Sequence, residues 1–351
     1  MRLVGWFEVH GRDLPWREEP RDPYRVLVSE IMLQQTQVDR VVPRYRRFLA
    51  RFPDVIALAS ATVEAVLEEW SGLGYYRRAR NLHAAARVIV DAGGRLPATA
   101  VELRRLPGVG EYTAAAVASL AFGEPVPVLD GNVLRVGARF LALDVPARSA
   151  RGRRLVAGWV GELMKDAPPG RVNEALMELG ATVCTFSTPA CSRCPLAGEC
   201  RGRTSGNPER WPERRRVREP ERVTWTAAMV FDGSGRLLLR RIDGGPILRG
   251  LWLPPLARLD PGDDPVRLAA CLLEGKVVVE EGVRAVPVRH AIAHRRIEVH
   301  PILFPSPAEA QPPDHCWVDP GAPGVPTSSL LGKLVDAAAA VCGPRFVAGI
   351  D

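Results

Sequence analysis

Leu106-Pro107-Gly108-Val109-Gly110, followed at once by Glu111-Tyr112-Thr113-Ala114, lies between two runs whose apolar residues recur at helical spacing. Two glycines around one apolar residue let the backbone turn tightly, and they aim its N–H groups outward at the start of the second helix. Such a turn is a natural seat for a phosphate. Read alone, it is either a plain turn between packed helices or a helix-hairpin-helix that grips a nucleic-acid backbone through Gly108, Val109 and Gly110 without reading its sequence.

Outward from this hairpin, apolar positions repeat at helical spacing over 24–37, 62–70, 77–92, 112–122, 132–142, 152–165 and 172–183, with turns rich in Gly and Pro between them. The first part of the chain is therefore expected to be all-α. In the run Pro23 to Thr36, stepping about 100° per residue puts Glu30 between the directions of Val26 and Leu27, while Val28 and Met32 make the opposite side apolar too. A helix apolar nearly all round is buried, and burial raises a carboxyl pKa into the range of a general acid. The bland alternative is a helix-edge glutamate paired with Arg25. Asp130 has a different setting: it follows the extended Val126-Pro127-Val128-Leu129 and opens a helix, where N–H groups and the helix dipole favour its ionised form. Asp130 is either a simple N-cap or the second member of a carboxylate pair suited to glycosidic-bond cleavage. Gly72-Leu73-Gly74-Tyr75-Tyr76 reads as a turn whose tyrosines either stack on bases or pack in a core.

Cys184, Cys191, Cys194 and Cys200 are separated by six, two and five residues, whereas Cys271, Cys316 and Cys342 are scattered singly. Met1 is followed by no signal-peptide pattern and no run long enough to cross a bilayer, so reduced thiols, a cytoplasmic location (nucleoid-associated in a bacterium) and no membrane partner are expected. Four thiolates in a loop-rich stretch can close around tetrahedral zinc or an iron-sulfur cluster. A single Cys-x-x-Cys clip, where structural zinc usually has two, favours a 4Fe-4S cluster.

A length of 351 residues suggests two domains. A formal charge of +7 and a pI near 9.3 favour a polyanionic partner without requiring one. Arg201 to Arg222 holds eight arginines, four glutamates, two glycines and three prolines with almost no apolar residue, the composition of a connector. Beyond it, Trp225 to Phe231, the turn Asp232 to Gly235, and Leu237 to Arg241 read as a β-hairpin. Further β-like runs lie at 276–279, 283–288 and 297–304, and a helix at 330–341. The second domain is expected to be α+β.

Taken in order, Arg12-Asp13-Leu14-Pro15-Trp16-Arg17, Ser29 to Val38, Gly72 to Tyr76, Leu106 to Gly110, Leu129-Asp130-Gly131-Asn132-Val133, Asn173-Glu174-Ala175-Leu176 and the four cysteines resemble the MutY family of adenine DNA glycosylases, within the helix-hairpin-helix base-excision superfamily that includes endonuclease III. The resemblance implies three parts: residues 1–200 as an all-α helix-hairpin-helix glycosylase domain with a 4Fe-4S cluster loop on Cys184, Cys191, Cys194 and Cys200, 201–222 as a basic connector, and 223–351 as a Nudix-like α+β domain. It implies removal of adenine lying opposite 8-oxoguanine or guanine in double-stranded DNA, by a protein expected to be a monomer. Glu30 matches the acid that protonates the purine and later helps activate water. Asp130 matches the carboxylate facing the sugar cation, oriented by Asn132. Tyr112 stands where lyases of the superfamily carry a Schiff-base lysine; a phenol cannot form that imine, so the strand should be left intact. Arg12, Trp16, Arg17, Leu33 and Glu174 match the pocket around the extruded adenine, and Gln35, Thr36 and Tyr75 the wedge that fills the gap. Extrusion costs a few kcal/mol, least for a mispaired base.

In the second domain, Gly250-Leu251-Trp252 and residues 289–300 carry the similarity to the module that inspects the opposite base. No Arg-Glu-x-x-Glu-Glu box is present around Glu274 to Gly282, so nucleotide hydrolysis is not expected. The family's Phe-Ser-His loop is Ile292-Ala293-His294 here. Ala293 cannot supply the hydroxyl hydrogen bond, worth roughly 1 kcal/mol net, so an altered or relaxed opposite-base preference is one alternative. A non-catalytic iron-sulfur DNA-binding protein is the other. Arg289, His290, His294, Arg295 and Arg296 either touch the opposite strand or form a solvated basic face.

Overall fold

The computed structural model describes residues 2–213, 219–245, 247–274, 279, 281–292, 294–306 and 312–342. The chain divides into two compact units, Met1–Ala61 with Arg77–Arg216, and Thr62–Tyr76 with Val217–Asp351. Along the first run α1 (Arg2–His10), α2 (Pro23–Leu33), α3 (Val38–Arg51) and α4 (Val55–Ser60), then α5 (Val63–Glu69), which groups with the second unit, then α6 (Arg77–Asp91), α7 (Ala100–Leu103), α8 (Glu111–Phe122), α9 (Gly131–Leu141), α10 (Ala150–Met164), α11 (Pro169–Thr182) and α12 (Arg201–Thr204).

Local chemistry explains these boundaries. Asp22 caps α2 by accepting from the N–H groups of Tyr24 and Arg25, with Pro23 pre-set for the first turn. Every residue from Val26 to Met32 is buried, the all-round burial that its composition predicts. Helix α8 ends at Gly123, whose φ of +73° is left-handed, and the Glu124 N–H closes the turn on the Ala118 carbonyl. Helices α9 and α11 approach closely because Gly180 has no side chain: a Cβ there would lie 2.5 Å from the Asn132 Cβ. The core gathers Leu3 and Phe7 of α1, Val133 and Val136 of α9, Val156 and Val160 of α10, and Leu176 and Leu179 of α11.

Several expectations are corrected. Helices α1, α3 and α4 were not legible from the pattern; α3 is crowded with arginines and carries Pro43, yet Val41, Tyr45 and Phe48 still form a buried stripe. The helix expected over 24–37 stops at Leu33. Residues 62–76 join the second unit, in which the Tyr76 hydroxyl donates to the Thr327 carbonyl and Glu64 pairs with Arg241 at 3.7 Å. The connector expected at 201–222 is not a tether along its first half. Gly202 lets α12 pack onto the Arg139 carbonyl, where a Cβ would meet the oxygen at 2.5 Å, and the Trp211 indole donates to the Leu143 carbonyl at 2.8 Å.

In the second unit, β1 (Glu221–Phe231) and β7 (Arg295–Pro305) run parallel along their whole length, and β2 (Leu237–Arg241) returns antiparallel to β1. The sheet also includes β3 (Trp252–Leu253), β4 (Leu256–Arg258), β5 (Val283–Arg284), β6 (Val288–Ile292) and β8 (His315–Val318). Alternation along β1 explains its two covered faces. Ala227, Met229 and Phe231 pack with Leu330, Leu334 and Ala338 of α14 (Ser329–Cys342), while Ala228 and Val230 pack with Ala269 of α13 (Pro265–Cys271). The β-like run at 276–279 lies outside the described residues except for Val279.

Candidate active site

Helices α2, α8, α9 and α11 of the first unit bring the candidate residues together. Glu30 is 4 % exposed, and the Tyr112 hydroxyl donates to its Oε2 at 2.6 Å. Burial pushes the Glu30 pKa up to about 7; the Tyr112 hydrogen bond opposes the rise, the charges of Asp130 and Glu174 add to it, and Arg17 opposes it. The same burial, with Glu30 as neighbour, raises Tyr112 well above its ordinary value, so its phenol stays protonated.

Asp130 caps α9. Its Oδ1 accepts from the Val133 N–H at 2.6 Å and its Oδ2 from the Asn132 side-chain amide at 2.9 Å. Asn132 is in turn held by Arg135, which donates to Asn132 Oδ1 at 2.8 Å, to the Gly180 carbonyl at 2.6 Å and to the Cys184 carbonyl at 2.8 Å. The expectation that the helix start favours ionisation outright needs correction. Burial raises the Asp130 pKa, and the hydrogen bonds from Val133 and Asn132 and the charge of Arg135 only partly offset it. The approach to Asp130 is fixed by Asn173, whose Oδ1 accepts from the Val128 N–H at 3.0 Å and whose amide donates to Ser119 Oγ and the Val126 carbonyl. A cavity of about 1280 Å³ is lined by Asp130 and Asn132 together with Arg135, Arg148 and Phe186. Glu30 does not line it.

Arg12, Arg17 and Glu174 meet in an ionic network that sequence reasoning found only in part. Its centre is Glu178, with a fully buried side chain, bound by Arg12 through Nε at 2.7 Å and a terminal nitrogen at 3.0 Å, and by Arg17 at 2.8 Å. Burial pushes the Glu178 pKa up, but the hydrogen bonds and charges of Arg12 and Arg17 reverse this and leave it lowered. Glu174 pairs with Arg17 at 3.4 Å and with Arg21 at 2.8 Å. Glu178 stands four residues after Glu174 on the same helix, the one signal that it shares this face. Trp16 is buried with its ring edge-on to Tyr45, and Leu33 is half-buried at the end of α2.

The remaining candidates are spread more widely. Gln35 is exposed with φ +58°, and Thr36 is half-buried beside it. Tyr75, 44 % exposed with φ +49°, belongs to the second unit. In the hairpin, Leu106 and Val109 are buried anchors while Gly108 and Gly110 are exposed. Gly108 is required twice over, by its φ of +75° and by Asn81, whose Cβ would lie 2.5 Å from an added Cβ. In the second unit Ile292 packs against the sheet core at the end of β6, His294 lies 3.5 Å from Glu221, and Ala293 lies outside the described residues.

Cys184, Cys191, Cys194 and Cys200 are free and half-buried, and each of the other three adds to the rise that burial imposes on the Cys194 thiol, which reaches about 11. Buried Arg139 braces their loop, donating to Cys184 Sγ at 3.3 Å and to the carbonyls of Thr185 and Phe186 at 2.6 and 2.8 Å. Among the described residues no group of three His, Cys, Asp or Glu converges to hold a single metal ion, and no helix is long and apolar enough to cross a membrane.

Residues 28–159 match the family described as HhH-GPD superfamily base excision DNA repair protein. The chain is 44 % identical over 285 residues to an adenine DNA glycosylase of Mycolicibacterium smegmatis, covering 79 % of this chain and 92 % of that one. It is 40 % identical over 264 residues to that of Mycobacterium tuberculosis, covering 74 % and 84 %. Mouse and human adenine DNA glycosylases are 38 % and 37 % identical, and the chain spans about three fifths of their length, 61 % and 59 %. Among solved structures, a thermostable thymine-DNA glycosylase superposes with a TM-score of 0.53 at 28 % identity, covering 58 % of this chain and 94 % of that one. Buried Glu30, half-buried Asp130 at its helix start, the glycine hairpin and this likeness over most of two bacterial relatives agree: the chain belongs to the adenine DNA glycosylase family of HhH-GPD base-excision repair proteins.

Proposed function

We propose that the protein hydrolyses the N-glycosidic bond of adenine lying opposite 8-oxoguanine or guanine in duplex DNA, leaving the strand itself uncut. The observation that carries this reading is the pairing of Glu30, raised to about 7 by burial, with Asp130, whose carboxylate oxygens take donors from Val133 and Asn132. A protonated Glu30 hands its proton to the adenine ring, which then departs as a neutral base. Asp130 faces the positive charge that develops on the sugar, and Asn132, clamped by Arg135, fixes its direction. Tyr112 holds Glu30 in place and offers no amine for strand cleavage. Once ionised, Glu30 draws a proton from the attacking water. The network of Arg12, Arg17, Glu174 and Glu178 supplies charged groups for the edge of the extruded base, and the cavity beside Asp130 has room for a nucleotide. Exposed Gly108 and Gly110 N–H groups suit the DNA phosphates.

Cys184, Cys191, Cys194 and Cys200 fit a 4Fe-4S cluster. Their thiols lie within one another's electrostatic reach, as a shared metal centre requires. Such a cluster supplies a rigid cross-link or an electron-transfer centre when bound. The resulting need for reduced thiols favours the cytoplasm. The second unit, in this reading, inspects the opposite base.

The test is a duplex with a single A:8-oxoguanine pair, incubated with the protein and then treated with hot alkali. Scission of the adenine strand only after alkali is expected; an uncut strand after alkali contradicts the proposal. Anchoring of Ile292 in the sheet core and of His294 near Glu221 favours a second reading, a relaxed opposite-base preference. Similar single-turnover rates on A:8-oxoguanine and A:G support it, and a large preference for the oxidised partner removes it.

A further inference from the structure

At the end of α2 the chain turns through Gln34, Gln35 and Thr36, and Gln35 stands exposed with a left-handed φ of +58°. A residue with a β-carbon avoids this region unless its surroundings impose it. What imposes it here is Arg78, a residue of α6 that is only 9 % exposed. Its guanidinium donates to the carbonyls of Ile31 at 3.0 Å and Met32 at 2.9 Å, to the carbonyl of Gln34, and to Thr36 Oγ1 at 3.0 Å. A helix C-terminus leaves carbonyls without intrahelical partners. Arg78 and the Thr36 N–H, which bonds to the Leu33 carbonyl at 3.2 Å, satisfy those of Ile31, Met32 and Leu33 together.

The choice of residue is informative. Burying a cation is costly, and these four acceptors are all neutral, so charge pairing with them does not explain its use here. One guanidinium nitrogen, Nη1, reaches the carbonyls of Ile31, Met32 and Gln34 while the other, Nη2, holds Thr36 on the far side of Gln35; an ammonium in place of Nη1 would have no second arm for Thr36.

We propose that Arg78 is a positioning residue for base extrusion: by clamping both sides of Gln35 it presents that side chain, preformed, to the gap left by the adenine. This rests on the adenine-excision reading above. Glu30 lies on the same helix one residue before the first clamped carbonyl, so the clamp ties the wedge to the acid through a single rigid helix end.

The test compares wild-type protein with Arg78→Lys, which keeps a cation at the helix end but cannot also hold Thr36. Two duplexes are used, one with adenine opposite 8-oxoguanine and one with adenine opposite a reduced abasic site, where no partner base has to be displaced. We expect single-turnover release from the paired duplex to fall about tenfold or more, with release from the unpaired duplex nearly retained. The fluorescence rise of 2-aminopurine placed opposite 8-oxoguanine should fall in parallel. Equal loss on both duplexes, or loss on neither, overturns the proposal. If Arg78→Lys does not fold, Arg78→Gln, which keeps an amide donor for the helix end and loses the Thr36 arm, must show the same selective loss; an equal loss on both duplexes or none again overturns it. Wild-type protein that releases adenine from neither duplex contradicts the excision reading instead. The 2-aminopurine comparison then decides this one, an unchanged fluorescence rise in the variant counting against it.

Discussion

Around Glu30 the protein offers a carboxylate one phenolic hydrogen bond, whereas around Asp130 it offers a backbone N–H, a side-chain amide and, behind these, the charge of Arg135. Glu30 is buried and Asp130 half-buried, and the loss of hydration raises both. The difference lies in what opposes it. In the proposed mechanism, placing one carboxyl within an apolar helix and the other at a helix start suits them to different tasks, proton donor and anion, within one folded unit. Helix position thus does work that a nearby charge does in many other acid pairs.

The largest effect that would break this comparison is on excision itself. Glu30→Gln and Asp130→Asn should each lower single-turnover adenine release by about 10³-fold or more, because each removes one partner of a two-group mechanism. A loss near tenfold for either would mean that the two sites are not both needed. Asn132→Ala removes the amide that directs Asp130 and leaves Arg135 without that acceptor. We expect about a 10²-fold loss in the maximal rate with little change in DNA affinity; a change in affinity alone would put Asn132 outside the chemistry.

A third prediction concerns stability. The folded pKa of Glu30 lies above its ordinary value, so its protonated form contributes stability that is full below about pH 4.5 and lost as pH rises through about 7. At ~1.4 kcal/mol per pH unit this is roughly 3 kcal/mol. Glu30→Gln should therefore be more stable than wild type at pH 8 by about that amount and no more stable at pH 4, as read by denaturant unfolding. A pH-independent difference would show that Glu30 is not a strained carboxyl. The smallest effect is that of Tyr112→Phe. Loss of the opposing hydrogen bond should move the alkaline limb of the excision profile to higher pH, and a move to lower pH would reverse the role assigned to the phenol.

Much of this comparison was legible in the residues. The burial of Glu30 follows from apolar neighbours on both sides of a helix, and the capping role of Asp130 follows from its place between an extended segment and a helical one. Period and capping are local, so sequence carries them. Arg135, Asn173 and Arg78 act across 40 or more residues, as in the Arg78 bond to Ile31 over a separation of 47, and no local pattern marks such partners; for Glu178 the one local mark is its place four residues after Glu174. Gly180 is likewise silent in sequence, because its need arises from the approach of Asn132. The arginine-rich stretch after Cys200 misled for the same reason: its composition suits a tether, but Trp211 and Gly202 find acceptors and space on α9 and the loop that follows it. The raised pKa of Asp130 also depends on tertiary burial, which the helix-start argument alone did not include.

The central claim is an order of ionisation, and carboxyl ¹³C NMR reads it directly, with Glu30→Gln and Asp130→Asn used to assign the two resonances. The account predicts that Asp130 loses its proton first and that Glu30 follows with a midpoint near 7. A Glu30 that titrates in the ordinary carboxylate range, or ionises before Asp130, would contradict it.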